Sequence, residues 1–202
     1  MIITKATKEQ IKYACLNYHY AKRVPPVLHG YALFNDNRFC GVITFGIANR
    51  LGSKRFNLAQ GELLELNRCA LNGAQTCTSK CVSLAIWALK RDAPQVKLLV
   101  SYADSREGHI GTIYQATNWV FDEETICSDP GVIIDGKFVH SRTISSMRHN
   151  KEKTKESETF NNIKSIIKVK PMIKYRYYYA LDEKMKKKLE SIKKPYPKKN
   201  KD

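Results

Sequence analysis

The run Val96-Lys97-Leu98-Leu99-Val100 changes abruptly into Ser101-Tyr102-Ala103-Asp104, and that change constrains the fold more than any other feature of the chain. A short, nearly continuous apolar run reads as a buried strand. Buried strands belong to sheets covered by helices, and such sheets bind ligands at the carboxyl ends of their strands. The loop that follows is punctuated by glycine, Gly108-His109-Ile110-Gly111, and leads into a short helical segment, Ile113-Tyr114-Gln115-Ala116-Thr117-Asn118-Trp119. A serine, two tyrosines, an aspartate and a histidine thus fall between positions 101 and 114. The plain alternative is a polar strand-to-helix turn without chemistry.

The flanking sequence supplies the rest of an α/β domain. Thr7-Lys8-Glu9-Gln10 has the pattern of a capping box, and Ile11, Cys15 and Tyr18 follow at helical spacing. This predicts a first helix running into Asn17–Arg23 and stopped by Pro25-Pro26. Tyr31–Phe34 and Phe39–Phe45 read as a hairpin about Asn35-Asp36-Asn37. Glu62–Leu71 alternates as a strand, and Thr78 or Ser79 is expected to cap a helix through Lys90 that carries a stripe of Val82, Ile86 and Leu89 before Pro94. Trp87 reads as core. Asp135-Gly136 marks a second hairpin, and 150–159 a mobile polar loop. Lys174–Leu181 is tyrosine-rich and strand-like, and Asp182 opens a basic helix. The expected organisation is a domain over 1–181 and a basic helix and tail over 182–202, with a mixed central sheet flanked by helices.

Thirty-five Lys/Arg against 19 Asp/Glu give a net charge of +16, which favours a polyanionic partner, and nucleic acid first. The excess is uneven: residues 151–202 hold 17 Lys/Arg against 7 Asp/Glu. Lys193, Lys194, Lys198 and Lys199 near the end read as a solvated basic arm. No apolar run approaches the roughly 20 residues needed to span a bilayer, and Thr4, Lys5, Lys8 and Glu9 interrupt any signal-like opening. Six scattered cysteines among apolar neighbours suit reduced thiols in a cytoplasm. Cys77 and Cys81 have no partner histidine at zinc-finger spacing.

The segment Ser101-Tyr102-Ala103-Asp104, then Gly108-His109-Ile110-Gly111 and Tyr114, resembles the phage Mom family of DNA-modification proteins. Three further stretches resemble that family, in the same order: His19-Tyr20, Gly41-Val42-Ile43-Thr44-Phe45-Gly46 and Glu65-Leu66-Asn67-Arg68. The element order is also similar to the GNAT acyltransferase fold, in which two central parallel strands splay apart around the donor. The splayed pair here would be Glu62–Leu71 and Val96–Tyr102, and Tyr114–Trp119 resembles the segment whose tyrosine protonates a leaving thiolate. Between Arg68 and Lys80 only Gly73-Ala74 stands where a GNAT pyrophosphate loop would be, which argues against coenzyme A and leaves the group donor open.

The Mom resemblance implies an enzyme that adds a carbamoylmethyl group to the N6 amine of adenine in double-stranded DNA and so protects it from host restriction. That amine is a weak nucleophile inside the stack, so the base must be flipped out and oriented. On this reading Asp104, Tyr114, His109, Ser101 and Tyr102 are catalytic, and Glu65, Asn67, Arg68 and Trp119 bind substrate or donor. His19 and Tyr20 are ligands for the iron that the resemblance implies. Lys22, Arg23, Lys193, Lys194, Lys198 and Lys199 contact phosphates. Capping of the following turn is the structural alternative for Asp104. Two rival functions fit the composition: a GNAT acetyltransferase acting on RNA or protein amines, and a DNA-binding protein without catalysis.

Overall fold

The computed structural model describes residues 1–127, 131–141, 144 and 165–198. The chain forms two units: Met1–Ala103 with Ile110–Glu123 and Tyr175–Asp202, and Asp104–His109 with Glu124–Lys174.

The first unit is built on a seven-stranded sheet in the order β1-β2-β3-β4-β5-β10-β6. The strands are β1 (Ile2–Lys5), β2 (His29–Asn35), β3 (Arg38–Ile47), β4 (Leu63–Leu71), β5 (Leu98–Asp104), β6 (Val120–Cys127) and β10 (Met172–Ala180). The strands β1 to β4 run antiparallel in succession. β4 and β5 are parallel, joined by the crossover helix α3 (Thr78–Asp92), whose cap is Cys77 rather than the expected Thr78 or Ser79, both of which lie inside its first turn. The predicted stripe of α3 is buried: Val82, Ile86 and Leu89 pack with Tyr31, Phe45, Leu64, Leu66 and Leu99. A second cluster places α1 (Lys8–Asn17) on Ala32, Val42 and Ala70 through Ile11, Ala14 and Cys15. A third joins α2 (Arg50–Phe56) and α5 (Glu183–Glu190) to Leu63, Leu98, Val100 and Tyr178. Adjacent leucines on β4 therefore serve opposite faces, as the two-residue period of a strand requires.

The second unit holds a small antiparallel sheet, β8 (Lys137–His140), β7 (Gly131–Ile134) and β9 (Ile166–Lys168), in the order β8-β7-β9. Asp135 and Gly136 both take positive φ (45° and 78°), the turn expected of this dipeptide. Residues 150–159 and Lys199 lie outside the described residues. Among the described residues no helix is long and apolar enough to cross a membrane.

Four further local readings are corrected. α1 stops at Asn17 rather than continuing to Arg23: Asn17 Nδ2 donates to Tyr13 O at 2.8 Å, and Ala21 N–H donates to His19 Nδ1 at 3.0 Å. Such side-chain bonds to nearby backbone compete with the helical ladder. The helix around Tyr114, α4 (Thr112–Gln115), is one turn entered through Gly111 at φ +83°. Trp87 is 60% exposed on α3, with the Arg91 guanidinium 5.3 Å from its ring centroid. The C-terminal segment is not a free arm. Lys194 N–H donates to Phe121 O (2.9 Å), the Tyr196 hydroxyl to Trp119 O (2.7 Å), and Gln115 Nε2 to Pro197 O (3.3 Å).

Candidate active site

The candidate site forms where β4 and β5 part. Their pairing is confined to Leu63/Leu98, Leu64/Leu99 and Glu65/Val100, although the strands run on to Leu71 and Asp104. Backbone groups past that point need other partners. Ser101, buried, supplies one: its Oγ lies 2.8 Å from Leu66 O and 2.7 Å from the Tyr114 hydroxyl. A carbonyl can only accept, so the serine proton goes to Leu66 and the Tyr114 hydroxyl donates to Ser101. Tyr114 is packed between Trp119 (ring centroids 5.1 Å apart) and Tyr177 (5.2 Å). Burial holds its hydroxyl far above the usual tyrosine range, with smaller upward contributions from Tyr20 and Glu65.

Glu65 sits at the last paired position and pairs with Gly46 across β3. Its charge acts on Tyr114, Tyr102 and Arg68, so four predicted residues share one electrostatic neighbourhood. Tyr102 is pushed up to about 12, by burial first and then by Tyr178 and Glu65. Arg68 is lowered, chiefly by burial. A bulge between Thr44 and Phe45 shifts the β3–β4 register at Asn67. Asn67 then accepts from Thr44 Oγ1 (2.6 Å) and donates to Pro26 O (3.0 Å). Arg68 donates to Asn67 O (2.6 Å) and Arg23 O (3.3 Å). The chain from Arg23 to Pro26 is thereby tied to β4 by the predicted pair Asn67 and Arg68.

The remaining predicted residues divide. Asp104 and His109 belong to the second unit. Asp104 is buried, its carboxylate accepts the Arg106 N–H at 3.1 Å, and the Arg106 guanidinium lies 3.6 Å away. It caps the turn Ser105–Glu107, and His109 N–H donates to Asp104 O at 3.3 Å. Trp119 is fully buried, so its ring supports Tyr114 rather than offering a face to a base. Lys22 donates to Asn17 O at 2.8 Å, Lys193 pairs with Glu190 (3.9 Å) and Lys194 with Glu123 (3.9 Å). Arg23 and Lys198 are exposed.

The resemblances imply two bound groups, an iron ion and the pyrophosphate of coenzyme A. His19 and Tyr20 have rings 4.2 Å apart, but His19 Nδ1 already accepts from Ala21. Among the described residues no three of His, Cys, Asp and Glu cluster as a metal would need. These residues do not fit an iron site. In the β4–α3 loop, Gly73 N–H donates to Gln75 Oε1 (3.0 Å) and Ala74 N–H to Asn72 Oδ1 (2.9 Å). Those amides are engaged by the loop itself, not presented as a phosphate cradle.

Sequence reasoning missed three parts of this region: β1, α2 and β6. The helix α2 has a glycine in its first turn and buries only Phe56, so it carries no periodic stripe. In β6 a buried aspartate, Asp122, breaks the apolar pattern. Its carboxylate takes two bonds from Arg55 (2.5 and 2.9 Å) and two from Arg176 (2.8 and 2.5 Å).

Residues 1–198 match the model of the Mom protein family. The methylcarbamoylase mom of Escherichia phage Mu is 26% identical over 194 residues, which cover 89% of this chain and 76% of that protein. Among solved structures, an acetyltransferase from Staphylococcus epidermidis superposes with a TM-score of 0.50 at 8% identity, over 90% of this chain and 99% of that one. An acetyltransferase from Salmonella typhimurium, determined with acetyl-CoA, gives a TM-score of 0.51 at 12% identity, over 91% and 95% of the two chains. At such identities the likeness concerns the fold alone, and that fold is the GNAT fold.

Proposed function

The chain belongs to the Mom protein family, and from that membership we propose that it is a DNA-modifying transferase that adds a carbamoylmethyl group to the N6 amine of adenine. The modification protects the DNA from host restriction, and the enzyme works in the cytoplasm of the infected cell. The observation that carries the reading is the splay of β4 and β5, with Glu65, Ser101, Tyr102 and Tyr114 gathered around it.

The adenine enters flipped, with its exocyclic amine toward Glu65. A bond forms between N6 and the donor's methylene carbon, the bond from that carbon to the leaving group breaks, and the leaving group departs with the electron pair. The N6 proton passes to the Glu65 carboxylate. Tyr114 stays protonated at any working pH, because burial raises it. Its one proton is given to Ser101, so it acts by holding Ser101 and the Leu66 carbonyl in place beside the splay, not as an acid that gives up its proton. Arg68 holds the segment from Arg23 to Pro26 against β4, and Asp104 caps the turn Ser105–Glu107 that precedes His109.

Nucleosides digested from DNA of cells expressing the protein should contain a deoxyadenosine heavier by a carbamoylmethyl group in place of hydrogen. Glu65→Gln should lower the yield by about 10²- to 10⁴-fold, the usual contribution of a general base. Asp104→Asn belongs in the same series, to separate a positioning turn from a second carboxylate. Unmodified adenine from soluble wild-type protein would overturn the assignment. Acetyl-CoA binding by calorimetry would then support the acetyltransferase reading that the fold also allows.

A further inference from the structure

Residues 18–28 and 47–57 contain Lys22, Arg23, Arg50, Lys54 and Arg55 and not one Asp or Glu. The two stretches meet at the end of β3. Leu28 N–H donates to Phe45 O at 2.8 Å, and a Cβ on Gly46 would lie 2.5 Å from both Pro26 O and Asn67 Nδ2. Around that junction three large aliphatic side chains face solvent: Leu51 at 72%, Ile47 at 60% and Leu28 at 53%. A single exposed leucine means little. Here three lie in two stretches that carry arginine and lysine and no acid, and Ile47 is one residue from the Gly46–Glu65 pair that borders the candidate site.

The ridge is also held firmly. Arg55 is committed to the buried Asp122, Phe56 packs edge-on against Tyr178 (4.9 Å), and Lys188 Nζ donates to Phe56 O (2.8 Å) at the end of α2. Gly52 lets the helix lie close to Leu63, where a Cβ would come within 3.0 Å. Four anchors are more than a seven-residue helix needs to cover one phenylalanine. They suit an element that must push.

We propose that this ridge is a wedge for duplex DNA: Leu51 and Ile47 enter the base stack at the step vacated by the extruded adenine, while Arg50 and Lys54 hold the flanking phosphates. The inference rests on the transferase reading above. Proteins that unstack a duplex insert leucine, isoleucine or similar side chains between base steps, and surrounding cations gain affinity by displacing counterions from the phosphates. The charge selects this occupant. A second copy would bring like-charged arginines and lysines together. A lipid surface calls for a long apolar helical face, whereas α2 exposes one leucine.

The test compares a closed duplex with one in which the adenines face a short non-complementary bubble. The double variant Leu51→Ala/Ile47→Ala should modify the closed duplex about tenfold or more slowly, since unstacking is no longer assisted, and the bubble at the wild-type rate. Arg50→Gln/Lys54→Gln should weaken binding to both alike and lower the salt dependence of log K by about two. Circular dichroism establishes that both variants fold. Variants that match wild type on the closed duplex overturn the wedge and leave the transferase standing. Wild-type protein that modifies neither substrate overturns both. A dimer in sedimentation, or flotation on phosphatidylglycerol vesicles, that Leu51→Ala/Ile47→Ala abolishes would assign the ridge to that partner instead.

Discussion

Where β4 and β5 part, Ser101, Tyr114 and Trp119 are almost wholly buried and their ring stack is continuous with the core under α3. In the stretches 18–28 and 47–57, Tyr20, Leu28, Ile47 and Leu51 are exposed, and the polypeptide from Arg23 to Pro26 is tied down through its backbone carbonyls. The inner region is fixed by packing, the outer one by a few directional bonds. An enzyme that receives a large polyanion and then orients one amine needs both. On the proposed function the outer surface is the one to meet the duplex, while the inner hydroxyl pair is held by the close packing around it.

The sharpest way to break this contrast is to cut the link between the two regions. Asp122, 2% exposed, receives both Arg55 of the outer helix and Arg176 of β10. Asp122→Ala leaves two guanidiniums without their main partner, and the loss should be about 3–5 kcal/mol in chemical denaturation, typical of a broken buried pair. The same carboxylate carries a pH signature. Burial alone would raise its pKa, but Arg55 and Arg176 prevail and hold it below the usual carboxylate range. Its stabilisation is therefore complete above the unfolded-state value of about 4 and lost as the pH falls through the lower folded value. Acid unfolding of Asp122→Asn should be flatter than wild type in that window. Identical acid limbs would show that the network does not hold α2.

A smaller effect is expected at the hydroxyl pair. Ser101→Ala leaves the Tyr114 hydroxyl and the Leu66 carbonyl without the serine that serves both, and should cost about 1–3 kcal/mol. Tyr114→Phe spares the Ser101–Leu66 bond and should cost less stability, yet abolish most transfer. Equal stability losses in the two variants would mean that the serine proton does not go to Leu66.

The local signals in the sequence were sufficient wherever partners lie close along the chain. The Thr7–Gln10 capping box, with bonds of 2.9 and 3.2 Å, and the α3 stripe formed as read. Ser101 and Tyr114, 13 positions apart, could be suspected together for the same reason. Asp122 could not, because its arginines stand 67 and 54 positions away and only the fold brings them near. The docking of Lys194 onto β6 was equally hidden: it runs through a backbone N–H and carbonyl, which leave no mark on residue identity. The convergence of Tyr20 and Glu65 on Tyr114 belongs to the same class.

The mildest prediction separates inner from outer by reactivity rather than stability. Cys77, at the exposed start of α3, has its Sγ 3.0 Å from Ser79 Oγ, and that hydroxyl draws the thiol below its ordinary pKa. Burial drives Cys69 and Cys81 up to about 12 and about 11. Only the thiolate attacks an alkylating reagent, so at neutral pH Cys81 is protected both by access and by protonation, and the half-buried Cys69 chiefly by protonation. Iodoacetamide followed by peptide mass spectrometry should label Cys77 well before Cys69 or Cys81 in folded protein, and the order should vanish in denaturant. Early labelling of Cys69 would mean that the strand bordering the splay opens to solvent, and the inner region would then be as yielding as the outer one.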